Sequence, residues 1–188
     1  MTMHAVFHRP LDAQVPQGFD RAVFAMGCYW GAEQVFWRQH GVWLTQAGFT
    51  GGQTRPDAPG TGGADHAEAV RVIFDSSQVS YERLLQLFWE NHDPTGGDRE
   101  DDATGSRYRS LIMVFNGSQR HAAQASKVDY GNRLAVHGFG RITTQIIDEA
   151  PFWPAPDEDQ QYLARNPDGH CEPTGTGVEA SIPNPDTS

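Results

Sequence analysis

The chain has 188 residues, of which 38% are hydrophobic, and a formal net charge of -10. That size and apolar content suit one domain, predicted here for residues 1–188. The negative charge makes nucleic acid and anionic membranes unexpected partners, because both would repel the chain. The N-terminus has no signal-like basic and apolar segments, and no stretch has the length of a membrane span, so we expect a cytoplasmic protein.

Hydrophobic periodicity predicts alternating strands and helices. The predicted elements are an N-terminal arm packed on the surface (1–20), a strand (21–26), a helix (about 28–39), strands (42–48 and 66–74), a helix capped by Ser80, a strand (110–115), a helix (about 118–133), a strand (142–148) and a short helix (about 157–165). Gly- and Pro-rich segments predict loops over 51–65 and 91–108 and a mobile tail over 166–188. We expect an α/β (α+β) two-layer sandwich, with a mixed β-sheet, flanking helices and a long coiled C-terminal tail.

A cysteine marks the corner between the first strand and the first helix, in the stretch FAMGCYWGAE (24–33). The free N–H groups and positive dipole end of a helix favour a thiolate at Cys28, and Gly27 leaves room for close approach. A small buried cysteine is the alternative, but such a residue more often lies inside a regular element. The second cysteine, Cys171, is far along the chain, which excludes a CxxC motif and a disulfide-dense scaffold.

The same stretch resembles a known signature. Gly27–Gly31 (GCYWG) is similar to the GCFWG motif of the A-type peptide methionine sulfoxide reductases. The resemblance continues through GFTGG (48–52), HAEAVRVIFD (66–75), LLQLFWENHDPT (84–95), GSRYRS (105–110), ITTQI (142–146) and DQQYLARNPDGHC (159–171). It implies a reductase that converts methionine-S-sulfoxide, free or in proteins, to methionine without a cofactor or a bound metal.

The resemblance also implies roles for individual residues. Cys28 would attack the sulfoxide sulfur, Glu68 with Tyr108 would protonate the departing oxygen, and Cys171 would resolve the resulting sulfenic acid as a disulfide. Strand parity places Glu68 on the core side, where burial would raise its pKa and keep it protonated. An ion pair between Glu68 and Arg71 is the alternative, but these residues have opposite parity. Thioredoxin or a similar dithiol would then reduce the disulfide, and we expect a monomer.

Two aromatic residues follow the motif cysteine. By resemblance, Tyr29 and Trp30 would form the apolar pocket for the S-methyl group of the substrate. Aromatic residues at the start of a helix more often cover the core, and that alternative stays open on the residues alone.

Some positions depart from the family pattern. The loop 53–65 contains no tyrosine, although relatives commonly bind the oxygen with one, and Arg107 stands where glutamine is usual. Ala103 occupies the place of an expected aspartate. Nearby side chains that could supply the missing hydrogen bond are those of Asp102, Thr54 and Thr61.

Other functions are weighed against the reductase. HAE (66–68) matches half of the zinc deaminase signature, but the sequence has no downstream P-C-x-x-C pair. A catalytically weakened paralogue that binds methionine-like ligands would have no need for Cys171. A general thiol peroxidase would have no need for an aromatic methyl pocket.

Overall fold

A computed structural model describes residues 2–52, 55–56, 66–97, 105–171 and 173–181. Its elements are β1 (Phe19–Ala25), α1 (Tyr29–Trp37), β2 (Val42–Thr50), β3 (Ala67–Asp75), α2 (Tyr81–Glu90), a 3₁₀ turn (Gly105–Tyr108), β4 (Leu111–Val114), α3 (Gly117–Val136), β5 (Gln145–Asp148), β6 (Phe152–Pro154) and α4 (Tyr162–Arg165). Among these residues, no helix is both long and apolar enough to cross a bilayer.

The strands form one six-stranded sheet in the order β5-β4-β1-β3-β2-β6. β4 and β5 pair in parallel, and the other neighbouring strands pair antiparallel. Phe24 of β1 stacks on Phe36 of α1 and Phe88 of α2, with ring centroids 5.0 and 5.4 Å apart, which joins the sheet to both helices. The predicted mixed sheet with flanking helices is confirmed.

The corner between β1 and α1 depends on a glycine. Gly27 has a φ of 95°, a conformation that residues with a side chain rarely adopt. The chain turns at Gly27, and Cys28 becomes the N-cap of α1. α2 begins as predicted, because the Ser80 side chain accepts a hydrogen bond from the Arg83 N–H at 3.1 Å.

Two elements begin several residues later than the sequence predicts. The helix expected over 157–165 is confined to Tyr162–Arg165, because Gln161 has a left-handed φ of 47°. β5 begins only at Gln145, since the Thr143 N–H bonds outside the sheet, to the Pro94 carbonyl at 2.8 Å. The short edge strand β6 was not predicted, and its proline suits an edge position.

The described part of the C-terminal tail packs on α2 and α3. Val178 and Ala180 are buried in the main core. The Tyr130 hydroxyl donates to the Val178 carbonyl at 3.1 Å, and the Ala180 N–H donates to Glu90 at 3.0 Å. Composition predicts a mobile tail, but it did not reveal that these two small apolar side chains have places in the core.

Candidate active site

Both cysteines lie at the N-terminus of α1. The Trp30 N–H lowers the pKa of the Cys28 thiol, and the Gly31 N–H lowers the pKa of the Cys171 thiol. Cys171 Sγ is also 3.9 Å from the Cys28 carbonyl oxygen. N–H groups in the first turn of a helix have no partner within the helix, so they are available to sulfur. The predicted nucleophile and the predicted resolving thiol are thus brought together.

Gly31 is what allows the tail to come this close. A Cβ at this position would lie 2.3 Å from the Cys171 carbonyl oxygen and 3.1 Å from Cδ of Pro173. The second glycine of the GCYWG motif therefore leaves space for the backbone that carries Cys171.

The interaction between the two thiols shifts their pKa values in opposite directions. The hydrogen bond between them and burial raise the pKa of Cys28 above its usual range, against the lowering effect of the Trp30 N–H. The bond from Cys28 lowers the pKa of Cys171 to about 7. Ionisation of Cys28 at the helix N-terminus therefore stays a prediction, and in this closed arrangement the neighbouring Cys171 opposes it.

Glu68 lies beside the nucleophile. It is 3% exposed, and its Oε2 accepts a hydrogen bond from the Tyr29 N–H at 3.0 Å, directly after Cys28 in the chain. Its Oε1 accepts from Arg107 Nε at 2.7 Å. Arg71 instead contacts Gln46, as the parity argument requires.

Burial governs the acidity of this carboxyl. Removal from water raises the pKa of Glu68, while the Tyr29 N–H and the Arg107 guanidinium both lower it. The rise is the net result, which brings the carboxyl closer to the protonated form that an acid needs. Arg107 was noted in the sequence only as a departure from glutamine, and its contact with Glu68 was not predicted.

Tyr108 stands at the entrance. It is 40% exposed and lines a cavity of about 310 Å³ together with Cys28 and Cys171. Burial raises the pKa of Tyr108, and the nearby charges of Glu68 and the two cysteines add to the rise. The phenol therefore keeps its proton.

The Tyr29 and Trp30 side chains are held by one carboxylate. The Tyr29 hydroxyl donates to Asp159 Oδ2 at 3.0 Å, and the Trp30 indole N–H donates to Asp159 Oδ1 at 3.1 Å. Trp30 stacks on Tyr162 with centroids 3.8 Å apart, and Tyr29 meets the Phe49 ring edge-on at 5.6 Å. Asp159 was not predicted, because it lies in a run of acidic residues without a distinguishing pattern.

A second cavity, of about 540 Å³, lies on the Tyr29 side of the site. Phe49, Arg107, Trp153 and Asp159 line it together with the Tyr29 ring. Its walls combine aromatic surface with a few charged groups, as small-ligand sites do.

A buried polar network supports the other side of α1. Glu33 accepts hydrogen bonds from the Thr45 hydroxyl at 2.9 Å, the Gln161 N–H at 2.8 Å and the Gln161 side-chain amide at 2.7 Å. His4 of the N-terminal arm contacts the Thr45 hydroxyl through Nε2 at 2.8 Å. This network holds Gln161 in its left-handed conformation and so places Tyr162 against Trp30.

The described residues do not include the positions that the sequence analysis discusses for the missing hydrogen bond to the oxygen. Asp102, Ala103, Thr54 and Thr61 lie outside the described residues. Within the described ranges, no group of three His, Cys, Asp or Glu side chains is arranged to hold a metal ion.

The fold and the site define a thiol-dependent α/β oxidoreductase, with a cysteine at a helix N-terminus, a second thiol beside it and a buried carboxyl next to both. The model of the family "Peptide methionine sulfoxide reductase" matches residues 20–182. A curated relative, peptide methionine sulfoxide reductase MsrA of Pseudomonas aeruginosa, is 46% identical over 178 residues, which are 93% of this chain and 83% of the relative. The chain therefore belongs to the peptide methionine sulfoxide reductase family.

Solved structures agree with this assignment. Methionine sulfoxide reductase A of Corynebacterium diphtheriae superposes with a TM-score of 0.76 at 36% identity, covering 97% of this chain and 90% of that one. Mxr1 from Saccharomyces cerevisiae in complex with Trx2 has a TM-score of 0.53 at 18% identity, covering 86% of this chain and 93% of that one, which shows a shared fold.

Proposed function

We propose that this chain reduces the S-epimer of methionine sulfoxide, free or in proteins, with Cys28 as the nucleophile and Glu68 as the acid. Membership of the family supports the reaction class. One contact supports the residue assignment above all others, the hydrogen bond from the Tyr29 N–H to Glu68 at 3.0 Å. It fixes the carboxyl beside the backbone of the nucleophile.

In the first step, the Cys28 sulfur attacks the sulfoxide sulfur. The S–O oxygen takes a proton from Glu68 and is transferred to Cys28, which leaves methionine and a sulfenic acid on Cys28. Tyr108, whose phenol stays protonated, donates a hydrogen bond to the same oxygen. The substrate sulfur is reduced by two electrons, and the Cys28 sulfur is oxidised by two.

Cys171 must withdraw before substrate can enter. Its retreat removes the hydrogen bond that raises the pKa of Cys28 and leaves the Trp30 N–H as a donor to that sulfur. In the second step, Cys171 returns and attacks the sulfenic acid, which forms the Cys28–Cys171 disulfide and releases water. The space at Gly31 supports such a return.

The aromatic residues after Cys28 would hold the S-methyl group. Tyr29 and Trp30 are fixed by Asp159, so their rings present a rigid apolar surface beside the nucleophile. Shape and apolar contact would then distinguish a methyl sulfoxide from hydrogen peroxide.

A dithiol must restore the two thiols, and we propose thioredoxin or a similar protein. Similarity to the fold of Mxr1, which has been crystallised in complex with Trx2, supports this choice. The cycle needs both cysteines in the reduced state, which suits a reducing compartment such as the cytoplasm. We also propose that the chain acts as a monomer.

A single-turnover assay with each epimer of a blocked methionine sulfoxide tests this function. Wild-type protein should release one equivalent of methionine from the S-epimer without added reductant and lose both thiols. Cys171→Ser should release the same equivalent and leave a sulfenic acid that dimedone traps. Cys28→Ser should release none, and activity in that variant contradicts the proposal. Faster consumption of hydrogen peroxide than of the sulfoxide would favour a peroxidase.

A further inference from the structure

Arg107 contacts the carboxyl that the proposed mechanism uses as an acid. Its Nε lies 2.7 Å from Glu68 Oε1, and the Arg107 side chain is 50% exposed while that of Glu68 is 4% exposed. A buried carboxyl is thus paired with a cation that reaches it from the surface.

Both oxygens of Glu68 are occupied by donors. Oε2 accepts from the Tyr29 N–H, and Oε1 accepts from Arg107. A protonated carboxyl needs one oxygen as a donor, and neither of these partners can accept a hydrogen bond. The observed geometry therefore fits a carboxylate best, and the departure of either donor would make protonation of Glu68 easier.

Arg107 is the partner that can leave. The Tyr29 N–H belongs to the first turn of α1 and is fixed with the helix. The Arg107 side chain is long and half-exposed, and it lines the cavity of about 540 Å³ beside Tyr29. Its guanidinium carbon lies 5.5 Å from the centroid of the Phe49 ring, an aromatic face that can receive a cation.

Arg107 is the cation among the groups that act most strongly on Glu68, and several other elements contribute groups around it. α1 contributes Cys28 and Tyr29, the segment before α4 contributes Asp159, the tail contributes Cys171, and the 3₁₀ turn contributes Tyr108 next to Arg107. Asp159 opposes ionisation of Glu68, as burial does. Arg107 is the positive charge that opposes protonation.

We propose that Arg107 is a positioning residue that holds Glu68 as a carboxylate in the resting protein and releases it during the first step, so that Glu68 takes up a proton from water and passes it to the sulfoxide oxygen. This inference rests on the proposed function. Its consequence is that the first step works over a lower pH range than it would with an uncharged side chain at position 107.

The test is the pH profile of the single-turnover rate with a neutral, blocked methionine-S-sulfoxide amide, which offers Arg107 no carboxylate. The rate should fall on the alkaline side as Glu68 loses its proton. An opposite charge at this distance lowers a carboxyl pKa by ~1–3 units, and the low end applies to a half-exposed arginine. Arg107→Gln and Arg107→Met should move the alkaline limb upward by about one pH unit, so that one unit above the wild-type midpoint both react about fivefold faster.

Two variants serve as controls. Arg107→Lys keeps the charge and should keep the limb close to its wild-type position. Arg133→Gln removes a comparable surface arginine, paired with Asp129 at 2.9 Å on α3, and should leave the profile unchanged. An alkaline limb that stays in place in both Arg107→Gln and Arg107→Met overturns the proposal.

A measurement without catalysis separates this inference from the function. The infrared carbonyl band of protonated Glu68, assigned by its loss in Glu68→Gln, should titrate at a higher pH in Arg107→Gln than in wild type. Equal midpoints refute the role of Arg107 even if the chain reduces sulfoxides. A shifted midpoint with no sulfoxide reduction refutes the proposed function instead.

Discussion

Glu68 and Glu33 lie on two sides of α1 in different surroundings. Glu68 is held by a backbone N–H and a half-exposed arginine, and that arginine lines the cavity of about 540 Å³. Glu33 is held by neutral donors from Thr45 and Gln161 and has no exposed surface. Burial raises the pKa of both. The difference shows that a raised pKa does not identify an acid catalyst, because access to substrate and an exchangeable partner are also needed.

The largest expected effects concern stability, and they come from two buried groups, Glu33 and His4. Burial raises the pKa of Glu33 from 4.5 to about 7, so between these values the folded chain holds a proton that the unfolded chain has lost. The stabilisation is complete below about pH 4.5 and is lost as the pH rises to about 7. Relative to Glu33→Gln, the wild-type free energy of unfolding should fall by about 3 kcal/mol over this range, measured by urea denaturation.

His4 should show the opposite slope. Burial lowers its pKa from 6.5 to about 3, so in this range the unfolded chain binds a proton that the folded chain does not. The stabilisation is complete above about pH 6.5 and is lost as the pH falls toward 3. Relative to His4→Gln, wild type should therefore gain stability as the pH rises. For each variant, the quantity to compare is the difference in free energy of unfolding from wild type as a function of pH. If this difference changed with pH in the same direction for Glu33→Gln and His4→Gln, the two residues would not titrate as described.

A second prediction tests the reactive end of α1. Gly31→Ala should obstruct the Cys171 backbone, since the new Cβ would lie 2.3 Å from its carbonyl oxygen. The crowding costs ~1–3 kcal/mol, so disulfide formation should slow about tenfold while release of methionine in the first turnover stays normal.

The folded state of that variant should remain stable, because alanine favours a helix over glycine by ~1 kcal/mol. Gly117→Ala, at the start of α3, is the matched control, since its Cβ would meet no atom within 4 Å. Quenched-flow thiol counting measures the disulfide step. Equal rates in wild type and Gly31→Ala would contradict close approach of the tail.

The smallest expected effect concerns the aromatic rings. Asp159→Asn leaves one acceptor oxygen for the two donors from Tyr29 and Trp30. Loss of one charge-assisted hydrogen bond at a partly exposed site should cost ~1 kcal/mol, seen as about a fivefold rise in KM with little change in kcat. Asp157→Asn, which alters the exposed bond to Thr2, should leave both constants unchanged. A fall in kcat alone would assign Asp159 to the chemistry.

Most of the features that the sequence predicted came from local patterns, such as the alternation of side chains along a strand. Alternation along β3 placed Glu68 on the core side, and the strand–helix corner placed Cys28 at a helix N-terminus. Asp159 and the left-handed Gln161 escaped prediction, because their conformations are set by partners distant in the sequence. The hydrogen bond that gives the lower pKa to Cys171 likewise depends on how the tail returns to α1.

The anchored tail also limits where the second thiol can go. Val178 is hydrogen-bonded to Tyr130, and Ala180 is hydrogen-bonded to Glu90. The chain that carries Cys171 is therefore anchored to α2 and α3 only a few residues farther along. Because the linker to this anchor is short, the Cys171 thiol stays at a high effective concentration near Cys28 even when it moves away from the site. In the proposed cycle, a freshly oxidised Cys28 would meet its own partner before a thiol from solution could reach it.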